Sequence, residues 1–149
     1  LGGGRIMAQD VPSFEGGTLA QALDDFNSGR YVQAVGVFER LARQGCVSAL
    51  YYLAICARDN LGGSSIAYSE ADVMLFMGEA AAKGAVVAQF FLGCALYSGA
   101  YVAQGTVHHV EENRELGLSY IRKSAASDES RQKEGFPPAK AWLRENGFA

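Results

Sequence analysis

The sequence predicts an all-α protein, a short right-handed α-solenoid of about three helical hairpins followed by a C-terminal helix. The first observation is an internal repeat with an offset of 39 positions, which relates Ala42 to Ala81, Gly45 to Gly84, Ala49 to Ala88, and Leu53 to Leu92. The second is helical spacing of apolar residues, and the third is glycine at the expected helix ends. A single hairpin cannot bury its apolar face alone, so the units are expected to stack.

The first predicted hairpin joins a helix over residues 19–27 to a helix over 31–44, with Gly29 in the turn between them. Apolar residues at 19, 20, 22, 23 and 26 give the first helix its buried face. Gly45 follows the second helix and is expected to adopt the left-handed conformation that ends many helices.

The remaining elements follow the same pattern. The residues Ser69 to Asp72 resemble a capping box, which favours a helix start at that point. Gly93 is expected to allow close helix packing. No segment shows strand spacing, and residues 100–110 are predicted as a long loop. The further predicted helices cover residues 48–58, 69–82, 86–98, 112–127 and 139–146.

Composition restricts the function. The chain has 149 residues, of which 49% are hydrophobic and 19% charged, as expected for a globular domain. A net charge of −3 provides no basic surface for nucleic acid, and no apolar run is long enough to span a membrane. The 18 glycines are about 12% of the chain, against a usual share of about 7%. The three cysteines lack metal-ligand spacing; a Cys56–Cys94 disulfide is conceivable, but buried free cysteines are the favoured interpretation.

Residues 88–99 resemble the first helix of a Sel-1-like repeat, a relative of the tetratricopeptide repeat whose pattern is roughly AxxxLGxxYxxG. Ala88, Leu92, Gly93 and Gly99 match this pattern, and Tyr97 lies close to its aromatic position. The second unit matches at Ala49, Leu53 and Ala54, with Asn60 in place of the final glycine. The resemblance covers about residues 18–147.

The resemblance implies a non-catalytic module that binds another protein through its concave face and inter-helix loops, without a cofactor. Members of the family are mostly bacterial or organellar adaptors, regulators and envelope scaffolds, and some are immunity proteins that hold a toxin. A scaffold that acts by self-association is the alternative. No catalytic motif such as GxSxG or HExxH is present, so we expect no enzymatic activity.

Residues 1–17 are predicted as an N-terminal extension, and residues 18–149 as the repeat domain. Two interpretations of the extension remain open. Residues 6–8 could end a secretory signal cleaved before Gln9, which would place the protein in the periplasm. Alternatively, Met7 is the natural start and the residues before it come from an expression vector. The second interpretation is favoured, and with it the bacterial cytoplasm.

Three aromatic residues occupy the fourth position of successive first helices, namely Tyr52, Phe91 and Trp142. They would form a ladder across a binding groove, or they would pack between the units as core. Tyr51 and Phe90 point about 100° away and are better core candidates. Two further candidates for partner contact, at the rim, are Arg58 and Arg144.

The two longer loops, residues 61–68 and 100–110, are either binding loops or tolerated surface insertions. The second contains Tyr101, His108 and His109, and we include Tyr101 and His108 among the candidate partner contacts. The histidine pair lacks a third ligand at a recognisable spacing, so no metal site is predicted.

Overall fold

The structure, a computed structural model, describes residues 18–63, 68–128, 130 and 132–149, and the predicted N-terminal extension lies outside these residues. The fold class is confirmed: the described part is mostly α-helical. Its seven helices are α1 (Leu19–Asn27), α2 (Tyr31–Arg43), α3 (Val47–Asp59), α4 (Glu70–Ala82), α5 (Val86–Ser98), α6 (Arg114–Ala125) and α7 (Pro137–Glu145).

Helix ends follow the predicted local chemistry. Gly45 and Gly84 adopt φ values of +92° and +98°, which residues with a Cβ rarely adopt. Asn60 ends α3 in the left-handed conformation, with φ 52° and ψ 43°. The backbone N–H of Ser69 donates to the Asp72 carboxylate at 2.8 Å, as a capping box requires. Helix α6 begins two residues later than predicted because Asn113 caps it, accepting a hydrogen bond from the Leu116 N–H, and it also ends two residues earlier, at Ala125.

The segment predicted as a loop over residues 100–110 contains a β-hairpin instead. Strand β1 (Ala100–Ala103) pairs antiparallel with strand β2 (Thr106–His109). Gln104 and Gly105 form the two-residue turn with φ values of 52° and 76°, the signs that a type I′ turn requires. The β-branched residues Val102, Thr106 and Val107 suit the short strands.

The core consists of three clusters, each of which combines residues from neighbouring units. Phe38 and Leu41 of α2 are completely buried between α1 and α3, and Val73 and Met77 of α4 are completely buried between α3 and α5. Ile121 of α6 is likewise buried, against α7. Every hairpin therefore shares its apolar face with its neighbour, as stacking of repeats requires.

Helices α5 and α6 cross with their backbones in contact. A Cβ added to Gly93 would lie 2.7 Å from the Gly117 carbonyl oxygen, and one added to Gly117 would lie 2.6 Å from the Gly93 carbonyl oxygen. The expected role of Gly93 in close helix packing is confirmed. This contact fixes the third helical hairpin, on which the candidate site lies.

Candidate binding groove

A groove with a volume of about 1100 Å³ lies along one side of α5. Val87, Phe91 and Cys94 of α5 contribute to its floor. The end of α3 and strand β1 line one side, and Phe136 and Pro138 at the start of α7 line another. Because α3, α5 and α7 are equivalent helices of successive units, the groove extends across three repeats.

Four aromatic residues line the groove, namely Phe90, Phe91, Tyr101 and Phe136. The Phe91 ring meets the Tyr101 ring edge-on at a centroid distance of 6.0 Å, and Phe90 meets Phe136 in the same manner at 5.7 Å. The sequence predicts Phe90 to be a core residue. The structure places it in both settings, since it packs against the buried α6–α7 cluster and also lines the groove. Adjacent residues of α5 therefore both contribute to this surface.

Hydrogen bonds from Gln104 connect the hairpin to the preceding unit. Its backbone N–H donates to the Arg58 carbonyl at 2.6 Å, and its Nε2 donates to the Ala57 carbonyl at 3.0 Å and the Tyr68 carbonyl at 3.3 Å. The bonds to Arg58 and Ala57 satisfy carbonyls at the C-terminal end of α3, which lack helical partners, and the bond to Tyr68 reaches the segment before α4. Sequence reasoning missed Gln104, since nothing local in the sequence links it to residues 36 and 47 positions earlier.

Tyr101 and His108 face each other across the hairpin. Their rings stack at a centroid distance of 5.4 Å, and a ring nitrogen of His108 lies 3.1 Å from the Ala103 carbonyl oxygen. The Tyr101 hydroxyl donates to the Glu70 carbonyl at 3.1 Å. Tyr101 lines the groove, whereas His108 supports the Tyr101 ring and is outside the lining.

The charges at the groove cancel. Arg58 and Asp59 are the charged side chains among the described residues that line it, and they form a two-pronged ion pair with N–O distances of 2.9 and 3.1 Å. The hydrogen bond to Asp59 raises the pKa of Arg58. Since both charges are paired within the chain, the groove offers a neutral and largely apolar surface.

The Cys94 thiol in the groove stays protonated at neutral pH. Burial raises its pKa to about 11, because desolvation disfavours the thiolate. Cys56 is buried, its pKa is also raised to about 11, and all three cysteines are free, so the conceivable Cys56–Cys94 disulfide is not formed. Cys94 therefore contributes a small apolar surface to the groove rather than a nucleophile.

We expect alkylation of Cys94 to be slow and to accelerate steadily with pH up to about 11. At pH 8 the thiolate fraction should be about a hundredfold below that of a thiol with a pKa of 9, since each pKa unit is a factor of ten. Iodoacetamide labelling of a Cys46→Ser, Cys56→Ser variant, followed by mass spectrometry, measures this rate. A rate that levels off below pH 9 would contradict the expectation.

The remaining predicted contact residues lie away from the groove. Tyr52 packs between Phe26 and Phe38, with its ring stacked on the Phe38 ring at 5.3 Å. Trp142 packs edge-on against Tyr97 at 5.0 Å. Arg144 is exposed near the end of α7. The structure thus brings Phe91, Arg58 and Tyr101 together, while partner contact by Tyr52, Trp142 and Arg144 stays a prediction.

Two features of the described residues concern metal binding and membrane insertion. No cluster of three or more His, Cys, Asp or Glu side chains is arranged to hold a metal ion among them. No helix in this part of the chain has the length and apolar character to cross a membrane.

Comparison with known proteins finds no family model and no curated sequence that matches the chain.

Proposed function

We propose that this chain is a non-catalytic interaction module of the Sel-1-like repeat type, which binds a segment of a partner protein in the groove along α5. The observation that carries the proposal is the apolar groove itself, formed jointly by three successive units. Small-molecule sites combine an apolar cleft with convergent polar groups. Here the ion pair of Arg58 with Asp59 and the bonded amide of Gln104 leave few polar groups for a ligand.

The aromatic residues supply the binding surface. Phe91 and Tyr101 present two rings that hold each other in place by an edge-to-face contact. Binding of a partner would therefore cost little additional side-chain entropy. Aromatic anchors of this kind dominate the energetics of protein interfaces. A more specific form of the proposal is an adaptor or immunity protein of a bacterial toxin or secretion system. The resemblance to Sel-1-like repeats supports that form.

A scaffold that acts by self-association is the second candidate. Val102 and Val107 lie opposite each other on the hairpin, and they are 58% and 56% exposed. An exposed apolar pair of this kind favours contact with another protein surface. Sedimentation equilibrium of the purified chain separates the candidates, because the scaffold requires oligomers and the partner-binding module does not.

The groove is tested by selecting peptides from a phage-displayed library of random dodecapeptides on the purified chain. We expect the selected peptides to bind Val87→Arg at least about tenfold more weakly, because this substitution places a solvated charge on the apolar floor. Leu75→Arg is the matched control, since Leu75 is 57% exposed on α4 and lies outside the groove lining. Fluorescence anisotropy measures the affinities, and circular dichroism confirms that both variants fold.

Two results would contradict the proposal. One is a selection that yields no binding peptide. The other is a set of peptides whose affinity falls equally in Val87→Arg and Leu75→Arg, which would mean that binding depends on net charge rather than on the groove.

A further inference from the structure

The hydrogen-bonding pattern of the hairpin leaves one edge of β1 facing away from β2. The Val110 N–H donates to the Gly99 carbonyl, so residues 99 and 110 form a hydrogen-bonded pair. Such pairs alternate along an antiparallel ladder, and Val102 opposite Val107 is therefore a non-hydrogen-bonded pair. The backbone N–H and C=O groups of Val102 accordingly point away from β2.

The neighbouring residues on that edge are already engaged. The Ala100 carbonyl accepts a hydrogen bond from the Ser98 hydroxyl at 3.1 Å, and the Gln104 N–H donates to the Arg58 carbonyl. Val102 lies between them, is 58% exposed and lines the groove. Among the described residues, no hydrogen bond outside the ladder reaches the backbone groups of Val102. The edge thus presents a donor and an acceptor beside an apolar floor.

The absence of an unpaired charge in the described lining of the groove indicates what kind of segment binds there. In the groove lining, Arg58 and Asp59 form an ion pair with each other. A charged ligand would therefore lose its hydration in the groove without gaining an oppositely charged side chain as a partner. An uncharged apolar chain loses little on entering and gains contact with Phe91. A free donor and acceptor on one strand residue complement those of a second peptide backbone in the extended conformation.

We propose that the occupant is an extended, uncharged apolar segment of the partner protein, which adds as a third strand to the free edge of β1. One residue of this segment pairs with Val102 through two backbone hydrogen bonds, and its alternate side chains enter the groove along α5. This inference rests on the proposed function, and it specifies the conformation and the chemistry of the segment that the groove takes.

The experiment uses the dodecapeptide with the highest affinity from the library selection. Methylation of the peptide at each backbone nitrogen in turn should weaken binding about tenfold at one position, because the methyl group there removes the N–H that donates to the Val102 carbonyl. On the protein side, Val102→Pro removes the N–H at the free edge without breaking a β1–β2 bond. Val107→Pro is the matched control, because it removes the equivalent N–H from the outer edge of β2.

We expect Val102→Pro to weaken binding about tenfold and Val107→Pro to leave it unchanged. Strand addition would be overturned if Val102→Pro and Val107→Pro bound the peptide with equal affinity and if N-methylation at every position of the peptide left its affinity unchanged. Peptide binding that remained sensitive to Val87→Arg in that case would leave the proposed function intact. Because N-methylation leaves the protein unaltered, it decides the matter even if a proline variant fails to fold.

Discussion

Gly93→Ala is expected to lower the free energy of unfolding by about 3 kcal/mol, at the upper end of the usual cost of overpacking a core. The added Cβ would lie 2.7 Å from both the Gly117 carbonyl oxygen and the Ile121 Cγ1. Since one of these atoms belongs to a helix backbone, α6 would have to move away from α5 as a whole. Urea denaturation followed by far-UV circular dichroism measures the loss.

Gly78→Ala provides the matched control for this prediction. Gly78 also lies within a helix, α4, but a Cβ there meets no atom within 4 Å. Alanine at this position should raise stability by about 0.5–1 kcal/mol, because glycine is the poorer helix former. Opposite signs for the two substitutions are the expected result, and equal effects would refute the close crossing of α5 and α6.

Phe38→Ala is expected to cost about 3–5 kcal/mol of stability, the usual range for removing a buried phenylalanine. Phe38 is completely buried between α1 and α3, and its ring stacks on Tyr52 with an interplanar angle of 9°. Thermal and urea denaturation both measure the change. Val32→Ala on the exposed side of the same helix is the control, with an expected effect within about 0.5 kcal/mol.

A double-mutant cycle of Phe38→Ala with Tyr52→Ala tests the role of Tyr52 directly. Ring pairs in contact typically couple by about 0.5–1.5 kcal/mol, and we expect a value in that range. Tyr52→Ala should also leave the affinity for groove-binding peptides unchanged. A coupling near zero with a loss of peptide affinity would instead make Tyr52 a contact residue.

Local signals in the sequence were sufficient for the helical architecture. The spacing of apolar residues predicts the bounds of α1 and α5 without error, because each helix has a distinct stop, at Gly29 and Gly99. The 39-residue offset predicts the stacking, since it repeats both the glycine stops and the buried alanines. Asn60 was correctly expected to replace a glycine, because asparagine tolerates the left-handed conformation better than most residues.

The hairpin and the groove could not be predicted in the same way. Each strand has only four residues, and the turn begins with Gln104, whereas asparagine or aspartate usually precedes glycine in such turns. The groove depends on Gln104 meeting the end of α3, a contact between residues distant in the chain. Helical position also failed to separate Phe90 from Phe91, because both rings line the groove although they are neighbours on α5.

The bonds from Gln104 to α3 have a consequence for how the chain unfolds. In a stack of repeats, each unit contacts only its neighbours, and cooperativity depends on the strength of those interfaces. Gln104 links the third unit to the second at a point beyond their helix packing, and the Tyr101 hydroxyl adds a bond to the Glu70 carbonyl. Amide hydrogens at the end of α3 and in the hairpin should therefore exchange with one common opening free energy, as a single cooperative unit.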